Sequence, residues 1–383
     1  MKPTDRLYET APHLSSFTAA VLACEPAGGN FRVVLDRTAF FPEGGGQYAD
    51  KGHLGGLPVL DVQIHDDIIY HTLPDALPVG QETDGVLDWP LRFSRMQSHT
   101  GEHIVSGVVH RAFGYDNIGF HLGDDEVTCD YNGSFREEDL RTVERRANHA
   151  VFSNLPVICE YPSPETLADL PYRSKKEIDG PVRIVTIPGV DICACCAPHV
   201  EHTGEIGLIK ITGAEKSHGG TRLHLHIGTR ALTDYREKQK NILRIMDLCS
   251  VPQGETAAGV ERLYDQIADL QHELSQARVR QGELMLESLP SHKEGNLVVL
   301  LPDAETDALR ALANGGKEHC TGAFVALTNQ GDAFRYMITA QGLPLRSLAK
   351  EYNDALNGRG GGKDNMIQGT FRASLEDIQS YFA

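Results

Sequence analysis

Two histidines at helical spacing are the first residues of this sequence that could do chemistry. His99 and His103 stand four positions apart in a segment of helical character, residues 96–112. Because residues i and i+4 lie on one face of a helix, both imidazoles can reach a single metal ion. The zinc-protease pattern His-Glu-x-x-His has a related spacing, but Glu102 stands three positions after His99, off the face of the pair. We therefore do not assign that protease motif.

A second pair of metal-binding residue types follows much later in the chain, in Cys195-Cys-Ala-Pro-His199. Added to the two histidines, Cys195 and His199 complete a set of three imidazoles and one thiolate, which suits zinc. We predict one zinc ion per chain, held by these four residues. Spacing alone leaves Cys193 and Cys196 as competitors of Cys195. It also leaves open that all of them are buried core side chains without a metal.

The number of predicted ligands limits what such a zinc ion could do. Sites with four protein ligands are usually closed and structural, whereas catalysis requires an open position, an exchangeable ligand or expansion to five ligands. The ligand set therefore predicts a metal but does not decide between a structural and a catalytic role.

Composition and charge bound the class of protein. The chain has 383 residues, of which 40% are hydrophobic and 23% charged, as in ordinary globular proteins. It shows no secretory signal and no run of the ~18 apolar residues that span a bilayer, so we expect a cytoplasmic protein without a membrane partner. Its eight cysteines are scattered except for the cluster at 193–196, which is typical of metal binding rather than of disulfides. The net charge of −17 argues against a DNA-binding protein but not against a local basic groove.

The elements that position these residues predict a multidomain α+β fold. Residues 1–90 alternate short strands, such as 31–35 and 59–64, with glycine-rich turns, which predicts a small β-barrel. Residues 91–230 mix both element types and form the predicted zinc-binding core. Helices are expected over 92–113, 136–152 and 163–169, and strands over 182–187, 207–212 and 221–227.

A helical and polar segment, residues 231–290, follows the core. Apolar residues recur with alternating spacings of three and four between Val260 and Leu284, which is typical of a coiled-coil seam. The seam predicts a coiled coil or helical hairpin and a possible homodimer through residues 260–284; the alternative is a helix that packs on its own domain. The sequence 250–254 would suit a turn between two helices.

Residues 291–383 form the last predicted domain, an α/β unit. Strands are expected over 296–301 and 323–328, and a helix over 343–356. After the helix comes a glycine-rich segment, Gly358-Arg-Gly-Gly-Gly-Lys-Asp364, which we expect to form a loop. Residues 335–372 hold six cations and three carboxylates, a local excess of positive charge in an acidic chain.

Three separated motifs resemble a known family. Phe41-Pro-Glu-Gly-Gly-Gly-Gln47, Arg95-Met-Gln-Ser-His-Thr100, and Cys195 to His199 with the following Thr203-Gly-Glu-Ile-Gly207 resemble the editing domain of alanyl-tRNA synthetase. The segment 358–369 is similar to the glycine-rich signature of the DHHA1 domain. Since no aminoacylation domain precedes these motifs, the chain resembles a free-standing alanyl-tRNA editing protein of the AlaX family, in its long form.

The resemblance implies an enzyme, an aminoacyl-tRNA hydrolase. Its reaction would be removal of a wrong amino acid, mainly serine with glycine as a second candidate, from the acceptor end of alanine tRNA. It also implies zinc at His99, His103, Cys195 and His199. One departure concerns the ligand loop, where the family usually has two glycines and a threonine but this chain has Cys196-Ala-Pro198. All four ligands of the family are kept. Because Pro198 stiffens the loop, the pocket is expected to differ in shape from that of the family.

Candidate catalytic residues lie beside the metal motifs. Gln47 closes a glycine-rich loop in which its amide and the backbone N–H groups of Gly44, Gly45 and Gly46 could bind the substrate. The alternative is a tight turn in which the glycines only supply positive φ. Because a hydrophobic pocket separates serine from alanine poorly, Gln47 and Thr100 are candidates for binding the serine hydroxyl. Glu102 is a candidate general base, although a solvated helix position is an alternative, and Asp191 could orient a ligand.

Candidate contacts to tRNA phosphates lie in two regions. In the core, Lys210, Lys216 and Arg222 could reach the acceptor end, although they could equally be ordinary surface charges. In the last domain, Arg359 and Lys363 flank the backbone of Gly360, Gly361 and Gly362, a combination that fits phosphate binding. The alternative is a glycine turn that caps the preceding helix.

Two other functions are compatible with the same residues. One is an RNA-binding module with a purely structural zinc ion. The other is a metal-dependent hydrolase of small esters or amides, in which the last domain serves only dimerisation. Both keep the metal, but neither removes an amino acid from tRNA.

Overall fold

The computed structural model describes residues 2–123, 126–174, 180–217 and 219–383. The chain divides into two compact units, Met1–Asn241 and Ile242–Ala383. The predicted barrel and the predicted zinc core therefore share one compact unit, and the finer domain boundaries at 90, 230 and 290 stay predictions. Among the described residues, every helix is too short or too polar to cross a membrane.

The first unit begins with short strands, as the glycine-punctuated sequence predicts. Their bounds are β1 Asp5–Arg6, β2 Ser16–Ala27, β3 Asn30–Leu35, β4 Arg37–Thr38, β5 Gly52–Leu54, β6 Leu57–Pro58, β7 Asp61–His65, β8 Ile68–Leu73 and β9 Glu82–Leu87, with one short helix, α1 Leu7–Thr10. Seven of them form an antiparallel sheet in the order β6-β5-β9-β2-β3-β8-β7. The predicted strand at 59–64 begins two residues later than expected, and closure of this sheet into a barrel stays a prediction.

The strand β2 joins the two halves of this sheet. Its first five residues pair with β9, and the residues from Val21 onwards pair with β3, with a register shift between Val21 and Ala23. Inward-facing side chains of the sheet bury a core that includes Phe17, Phe40, Phe41 and Leu54. The glycine-rich loop, residues 41–50, extends from this core and carries Gln47.

The second part of the first unit is built around one long helix. Its elements are α2 Trp89–Phe113, β10 Asn117–Leu122, β11 Val127–Tyr131, α3 Glu137–Phe152, β12 Ile158–Glu160, α4 Pro164–Asp169, β13 Ile184–Ile187, β14 Asp191–Ala194, β15 Ile209–Ser217 and β16 Gly220–Ile227. The strands form two antiparallel sheets, β10-β11-β16-β15 and β12-β13-β14. All three helices predicted here are present, within three residues of the expected bounds.

Local sequence defines both ends of α2. The side chain of Asp88 accepts a hydrogen bond from the backbone N–H of Leu91, Pro90 stands in the first turn, and Gly114 ends the helix in the left-handed conformation at φ 70°. Nearly every residue of α2 from Met96 to Val109 is buried. The helix is therefore enclosed by the sheets and by α3, and its polar residues must find partners inside the protein.

Two helices follow, α5 Thr229–Cys249 and α6 Thr256–Ser288, and the predicted break at 250–254 lies between them. The apolar seam of α6 is exposed within the single chain: Leu263 is 43% exposed, Ile267 52%, Leu270 62% and Leu274 50%. These four side chains are therefore largely exposed in the chain, and the coiled coil or helical hairpin and the homodimer stay predictions.

The second unit ends in a five-stranded sheet flanked by helices. Its elements are β17 Leu297–Leu300, α7 Thr306–Gly316, β18 Ala323–Gln330, β19 Ala333–Ala340, α8 Leu345–Ala355, β20 Arg359–Lys363, β21 Met366–Phe371 and α9 Leu375–Tyr381. The strand order is β17-β18-β19-β21-β20, with β17 parallel to β18 and the other pairs antiparallel. Side chains of α7 pack with one face of the sheet, and those of α8 and α9 pack with the other.

The glycine-rich segment of this unit is not the loop or the helix cap that the sequence suggested. Residues 359–363 form the edge strand β20, which pairs with β21 from Arg359 opposite Thr370 to Lys363 opposite Met366. Close approach explains two of its glycines, because a Cβ atom on Gly360 or Gly362 would lie 2.3 Å from a backbone oxygen of β21.

Candidate metal centre

The four predicted ligands converge within the first unit. The helix α2 presents His99 and His103, and the segment after β14 presents Cys195 and His199. One potential ligand atom of each residue lies within 4.8 Å of those of the other three. The Sγ atom of Cys195 lies 3.5 Å from Nε2 of His99 and 3.4 Å from Nε2 of His199. The histidines are buried, so the group forms an enclosed pocket of donor atoms that could hold a metal ion.

Each histidine has a hydrogen-bonding partner on the ring nitrogen Nδ1. Nδ1 of His99 lies 2.9 Å from Oε1 of Gln47, Nδ1 of His103 lies 3.2 Å from Asp191, and Nδ1 of His199 lies 3.0 Å from Oγ1 of Thr100. An acceptor at Nδ1 selects the tautomer in which Nε2 is unprotonated and able to bind a metal. The three partners therefore orient all three imidazoles for ligation.

The partner of His103 is itself held by a second charged residue. Arg173 donates two hydrogen bonds of 2.8 Å to the carboxylate of Asp191. Burial would raise the pKa of Asp191, but the hydrogen bonds from His103 and Arg173 outweigh burial and hold its pKa below the usual value. The carboxylate is thus ionised, and it is held where it accepts a hydrogen bond from Nδ1–H of His103.

The electrostatics of the ligands favour metal binding through neutral imidazoles. Burial, together with the neighbouring His103 and His99, holds the pKa of His199 well below its usual value. Burial raises the pKa of the Cys195 thiol well above its usual value. A thiolate at this position therefore needs a cation beside it, which is the charge that a bound metal supplies.

The loop that carries Cys195 and His199 is fastened by one buried arginine. The guanidinium of Arg183 donates hydrogen bonds to the carbonyl oxygens of Cys195 at 3.1 Å and Ala197 at 2.9 Å. The backbone N–H of Cys195 in turn donates to the carbonyl of Arg183 at 3.0 Å. This loop contains Pro198, so its shape is set both by the ring and by these bonds.

Two other buried arginines tie the glycine-rich loop to α2. Arg92 pairs with Asp50 at 2.9 Å, both side chains being 1% exposed, and the same carboxylate accepts from the backbone N–H of Phe41 at 2.8 Å. Arg95 donates to the carbonyl of Ala49 at 2.7 Å. Since Arg92 and Arg95 lie on the helix that carries His99, these bonds fix the loop, and with it Gln47, relative to the ligands.

The loop also contacts the four-stranded sheet beside the ligands. Gly46 accepts a backbone hydrogen bond from Leu122, and a Cβ atom on Gly46 would lie 2.9 Å from Phe120. The ring of Phe120 lies against that of His99, with 4.9 Å between centroids. Glycine is thus required at position 46 by close approach as well as by its φ of 83°.

One polar atom of Gln47 has no partner among the described residues. Its Oε1 binds His99, whereas its Nε2 is buried and makes no hydrogen bond. A buried unpaired donor costs about 1–3 kcal/mol. Beside the ligand cluster, it is a donor that a bound substrate could use.

Glu102 is buried, although a solvated position on the helix was one expectation from the sequence. It is 3% exposed, not solvated, and its carboxylate accepts hydrogen bonds from Ser106 at 2.6 Å and Asn117 at 2.5 Å. Ser106 also contacts the hydroxyl of Tyr131 at 2.9 Å. Glu102 therefore belongs to a buried polar network packed beside α2, and its role as a general base stays a prediction.

The alternative cysteines occupy different places. Cys193 groups with His103 and Asp191 rather than with the four converging ligands, and Cys196 is exposed and belongs to neither group. Since Asp191 already accepts two bonds from Arg173, the second group is better suited to orienting His103 than to holding its own ion. The geometry thus favours Cys195 as the thiolate ligand.

Two of the three cations predicted to touch tRNA from the core, Arg222 and Lys210 but not Lys216, have carboxylate partners among the described residues. Arg222 makes two hydrogen bonds of 2.8 Å with Asp130, and Lys210 lies 2.8 Å from Glu144. Either cation could reach a phosphate only by giving up its carboxylate. Sequence reasoning missed Arg92, Arg173 and Arg183, and it named Arg95 in a motif without giving it a role. The spacing of Arg92 and Arg95 with His99 along one helix face was the available signal for these two.

Two family models match the chain. One is described as the second additional domain of threonyl- and alanyl-tRNA synthetases and matches residues 182–224, which include Cys195 and His199. The other is the DHHA1 domain, which matches residues 294–382. The predicted DHHA1 domain at the end of the chain is therefore confirmed.

Several curated proteins are similar to this chain. Alanyl-tRNA editing protein AlaX-L of Pyrococcus horikoshii is 29% identical over 98% of this chain and 96% of that protein. Alanyl-tRNA editing protein Aarsd1 of Danio rerio is 27% identical over 93% of this chain and 91% of that protein. Alanine–tRNA ligase of Methanococcus vannielii is 28% identical over 91% of this chain but only 40% of its own length. The resemblance to long-form, free-standing alanyl-tRNA editing proteins is confirmed.

Proposed function

We propose that this chain is a trans-editing hydrolase that removes serine, with glycine as a second candidate, from mischarged alanine tRNA. Its similarity to two alanyl-tRNA editing proteins extends over more than nine-tenths of the chain. The observation that carries the proposal is the convergence of His99, His103, Cys195 and His199 beside the loop that ends in Gln47. An aminoacyl ester is already activated, so the site needs only to position water and stabilise an oxyanion.

We propose zinc as the metal, one ion per chain. Three imidazoles with unprotonated Nε2 atoms and one thiolate form a donor set of the kind that zinc prefers, in tetrahedral geometry. The fit is supported by the convergence of the four donor atoms within 4.8 Å and by the acceptor on each Nδ1. When bound, zinc would polarise the ester carbonyl or a water molecule, or anchor the substrate.

We assign Gln47 two tasks in this reaction. Its Oε1 holds His99 in the ligating tautomer, and its unpaired Nε2 donates a hydrogen bond to the serine hydroxyl or the ester carbonyl. Thr100 is better suited to positioning than to substrate binding. Its hydroxyl donates to the carbonyl of Met96 at 2.8 Å and its oxygen faces His199, so its single proton is already used.

The tRNA partner would contact the glycine-rich loop beside the metal centre and, separately, the edge strand β20. We propose that the acceptor end approaches the loop of Gly44, Gly45 and Gly46, whereas Arg359, Lys363 and the backbone of the edge strand β20 contact phosphates. Their support is exposure, since Arg359 and Lys363 both face solvent on a strand with one unpaired edge. Arg222 has weaker support because of its bonds to Asp130.

The exposed seam of α6 supports a second copy of the chain as a further partner. Four apolar side chains that are each at least 43% exposed follow coiled-coil spacing, and such stripes usually mark a protein interface. We expect a dimer in solution by light scattering, and a monomer after Leu270→Glu. A wild-type chain that stays monomeric at high concentration would contradict the proposed dimer but not the editing proposal.

One assay tests the editing proposal against its two rivals. Purified protein is incubated with Ser-tRNA(Ala) and with Ala-tRNA(Ala), with and without a chelator, and His103→Ala serves as the metal-site variant. We expect the serine ester to be hydrolysed, the alanine ester to be spared, and both the metal and the activity to be lost in the variant. Failure to deacylate either tRNA would leave only a structural metal, and hydrolysis of free seryl esters at the same rate would favour the small-ester hydrolase.

A further inference from the structure

Tyr48 presents an exposed aromatic ring directly beside the candidate metal centre. The residue is 41% exposed, whereas the preceding Gln47 is 1% exposed. Gln47 points inward and hydrogen-bonds His99. Tyr48 follows it at a Cα–Cα distance of about 3.8 Å and faces solvent. A large apolar surface is therefore available to a ligand within one residue of the side chain that orients His99.

The backbone that carries Tyr48 is held on both sides. Before it, Gly44 and Gln47 exchange two backbone hydrogen bonds of 3.0 Å. After it, Nη1 of Arg95 donates to the carbonyl oxygens of Tyr48 at 3.4 Å and Ala49 at 2.7 Å. The side chain is thus exposed on a backbone that is already ordered. A ligand that stacks on this ring does not have to order the loop first, which lowers the entropic cost of binding.

A second exposed ring, that of His121 on β10, lies beside Tyr48. The two ring centroids are 5.8 Å apart, and the ring planes meet at 89°. Two of the contacts of His99 come from the residues just before these rings. Gln47 hydrogen-bonds Nδ1 of His99, and the ring centroid of Phe120 lies 4.9 Å from that of His99. The two exposed rings therefore belong to the same two segments that contact this predicted ligand.

The geometry of the two rings suits a planar nitrogen heterocycle. Because their planes are nearly perpendicular, a flat ligand that stacks on the face of one ring meets the other ring at its edge. The hydroxyl of Tyr48 and the imidazole nitrogens of His121 can donate or accept hydrogen bonds along that edge. Unpaired nucleobases are recognised in this way, by stacking on tyrosine or histidine and by hydrogen bonds to their edges.

We propose that Tyr48 and His121 bind the nucleobase of the terminal nucleotide whose ribose carries the aminoacyl ester. The inference rests on the proposed function, because the base and the ester are attached to the same ribose. An ester that accepts a hydrogen bond from Nε2 of Gln47 has its base one sugar ring away, and the adjoining Tyr48 is the next residue of the loop. Stacking of the base then places the ester at the candidate metal centre. Tyr48 and His121 thus act as substrate-binding residues that read a base and not a phosphate.

Binding of two uncharged RNA minihelices tests the stacking directly. Both copy the acceptor stem of alanine tRNA, and they differ only in the last nucleotide, which is adenosine in one and an abasic ribose in the other. We expect the wild-type chain to bind the adenosine-ended minihelix about tenfold more tightly, measured by fluorescence anisotropy. Tyr48→Leu removes the flat ring and should lose this difference, whereas Tyr48→Phe should keep most of it. His121→Ala should reduce it about threefold.

Tyr235→Leu is the matched control, because it removes the ring of a tyrosine that is 60% exposed on α5. This variant should keep the full difference between the two minihelices. The slope of log affinity against log salt should be the same in all variants, since a base carries no charge and a phosphate does. Equal binding of both minihelices by the wild-type chain would overturn the proposal. A difference that survives Tyr48→Leu, or that is lost equally in Tyr235→Leu, would do so as well.

Hydrolysis of the same minihelices charged with serine separates this proposal from the editing function. A base that is bound equally in the ground state and the transition state acts on KM and not on kcat. We therefore expect Tyr48→Leu to raise KM about tenfold for the adenosine-ended substrate only. A chain that prefers the adenosine end in binding but hydrolyses neither ester would refute editing and keep the base site. A chain that hydrolyses and binds both minihelices equally well would refute the base site alone, and a chain that binds neither would overturn both.

Discussion

Oε1 of Gln47 lies 2.9 Å from Nδ1 of His99, and this one hydrogen bond joins the glycine-rich loop to the candidate metal centre. The two residues come from different parts of the first unit, the loop at 41–50 and the helix α2. The other end of the Gln47 amide, Nε2, is buried without a partner. Oε1 of Gln47 thus already orients His99, whereas Nε2 is still free to donate a hydrogen bond.

Substitutions of Gln47 should separate these two functions. Gln47→Glu keeps an acceptor for His99 but loses the donor, so the metal should be retained while deacylation falls about 10²–10³-fold. Gln47→Ala loses both, and metal affinity should fall about 10–100-fold as well. Metal content by mass spectrometry and single-turnover deacylation measure the two effects. Equal activity in wild type and Gln47→Glu would show that Nε2 does not touch the substrate.

The sequence predicted which four side chains converge, because the spacing within each pair is a local property. His99 and His103 are four residues apart on one helix, and Cys195 and His199 lie in one short loop. The resemblance added Gln47, but not its contact with His99, since that bond joins residues distant in the chain. Thr100 was a candidate for binding the serine hydroxyl, and its contact with His199 was not foreseen. The motif around Thr100 does not indicate which distant residue its buried hydroxyl will contact.

Other parts of the fold were also hard to predict from the sequence, because contacts between residues distant in the chain determine them. The predicted loop at Gly358–Asp364 is a strand, because pairing with β21 and steric limits at Gly360 determine its conformation more than glycine propensity does. For Glu102 the sequence offered a general base or a solvated position, yet the side chain is buried and accepts hydrogen bonds from Asn117 and Ser106. The end of α2 at Phe113 was predicted correctly, since Gly114 ends the helix locally, whereas its start after Asp88 lies three residues before the predicted one.

Asp191 should be required for metal affinity although it is not among the four converging ligands. Asp191→Ala removes the acceptor on His103 Nδ1 and leaves Arg173 without its carboxylate. We expect metal affinity to fall about 10–100-fold, measured by competition with a chromophoric chelator. Asp116→Ala, at an exposed carboxylate that contacts the non-ligand His110, is the control and should bind metal as wild type does. Unchanged affinity in Asp191→Ala would show that His103 is oriented without it.

The buried pair of Arg92 and Asp50 should dominate the stability of the glycine-rich loop. Asp50→Ala leaves the Arg92 charge buried, which costs about 3–5 kcal/mol in the free energy of unfolding. Arg141→Ala, from the exposed pair with Glu137, should cost less than about 1 kcal/mol. Urea unfolding monitored by circular dichroism measures both. Similar losses in the two variants would show that the Arg92–Asp50 pair contributes no more than a surface pair.

His71 should make the first unit sensitive to acid. Burial lowers the pKa of His71 from 6.5 to about 4, and its ring is held between Thr38 at 2.9 Å and the carbonyl of Val33 at 3.2 Å. Below about pH 6.5 the unfolded chain binds a proton that the folded chain does not, so stability falls as pH decreases towards 4 and is unaffected by this group above 6.5. A difference of about 2.5 units corresponds to roughly 3 kcal/mol. In His71→Gln this loss should disappear, so the difference in unfolding free energy between the variant and wild type should shrink or reverse between pH 7 and pH 4.5. His65→Gln, at an exposed histidine of the same sheet, is the control, and a pH dependence of His71→Gln that parallels wild type would contradict the assignment.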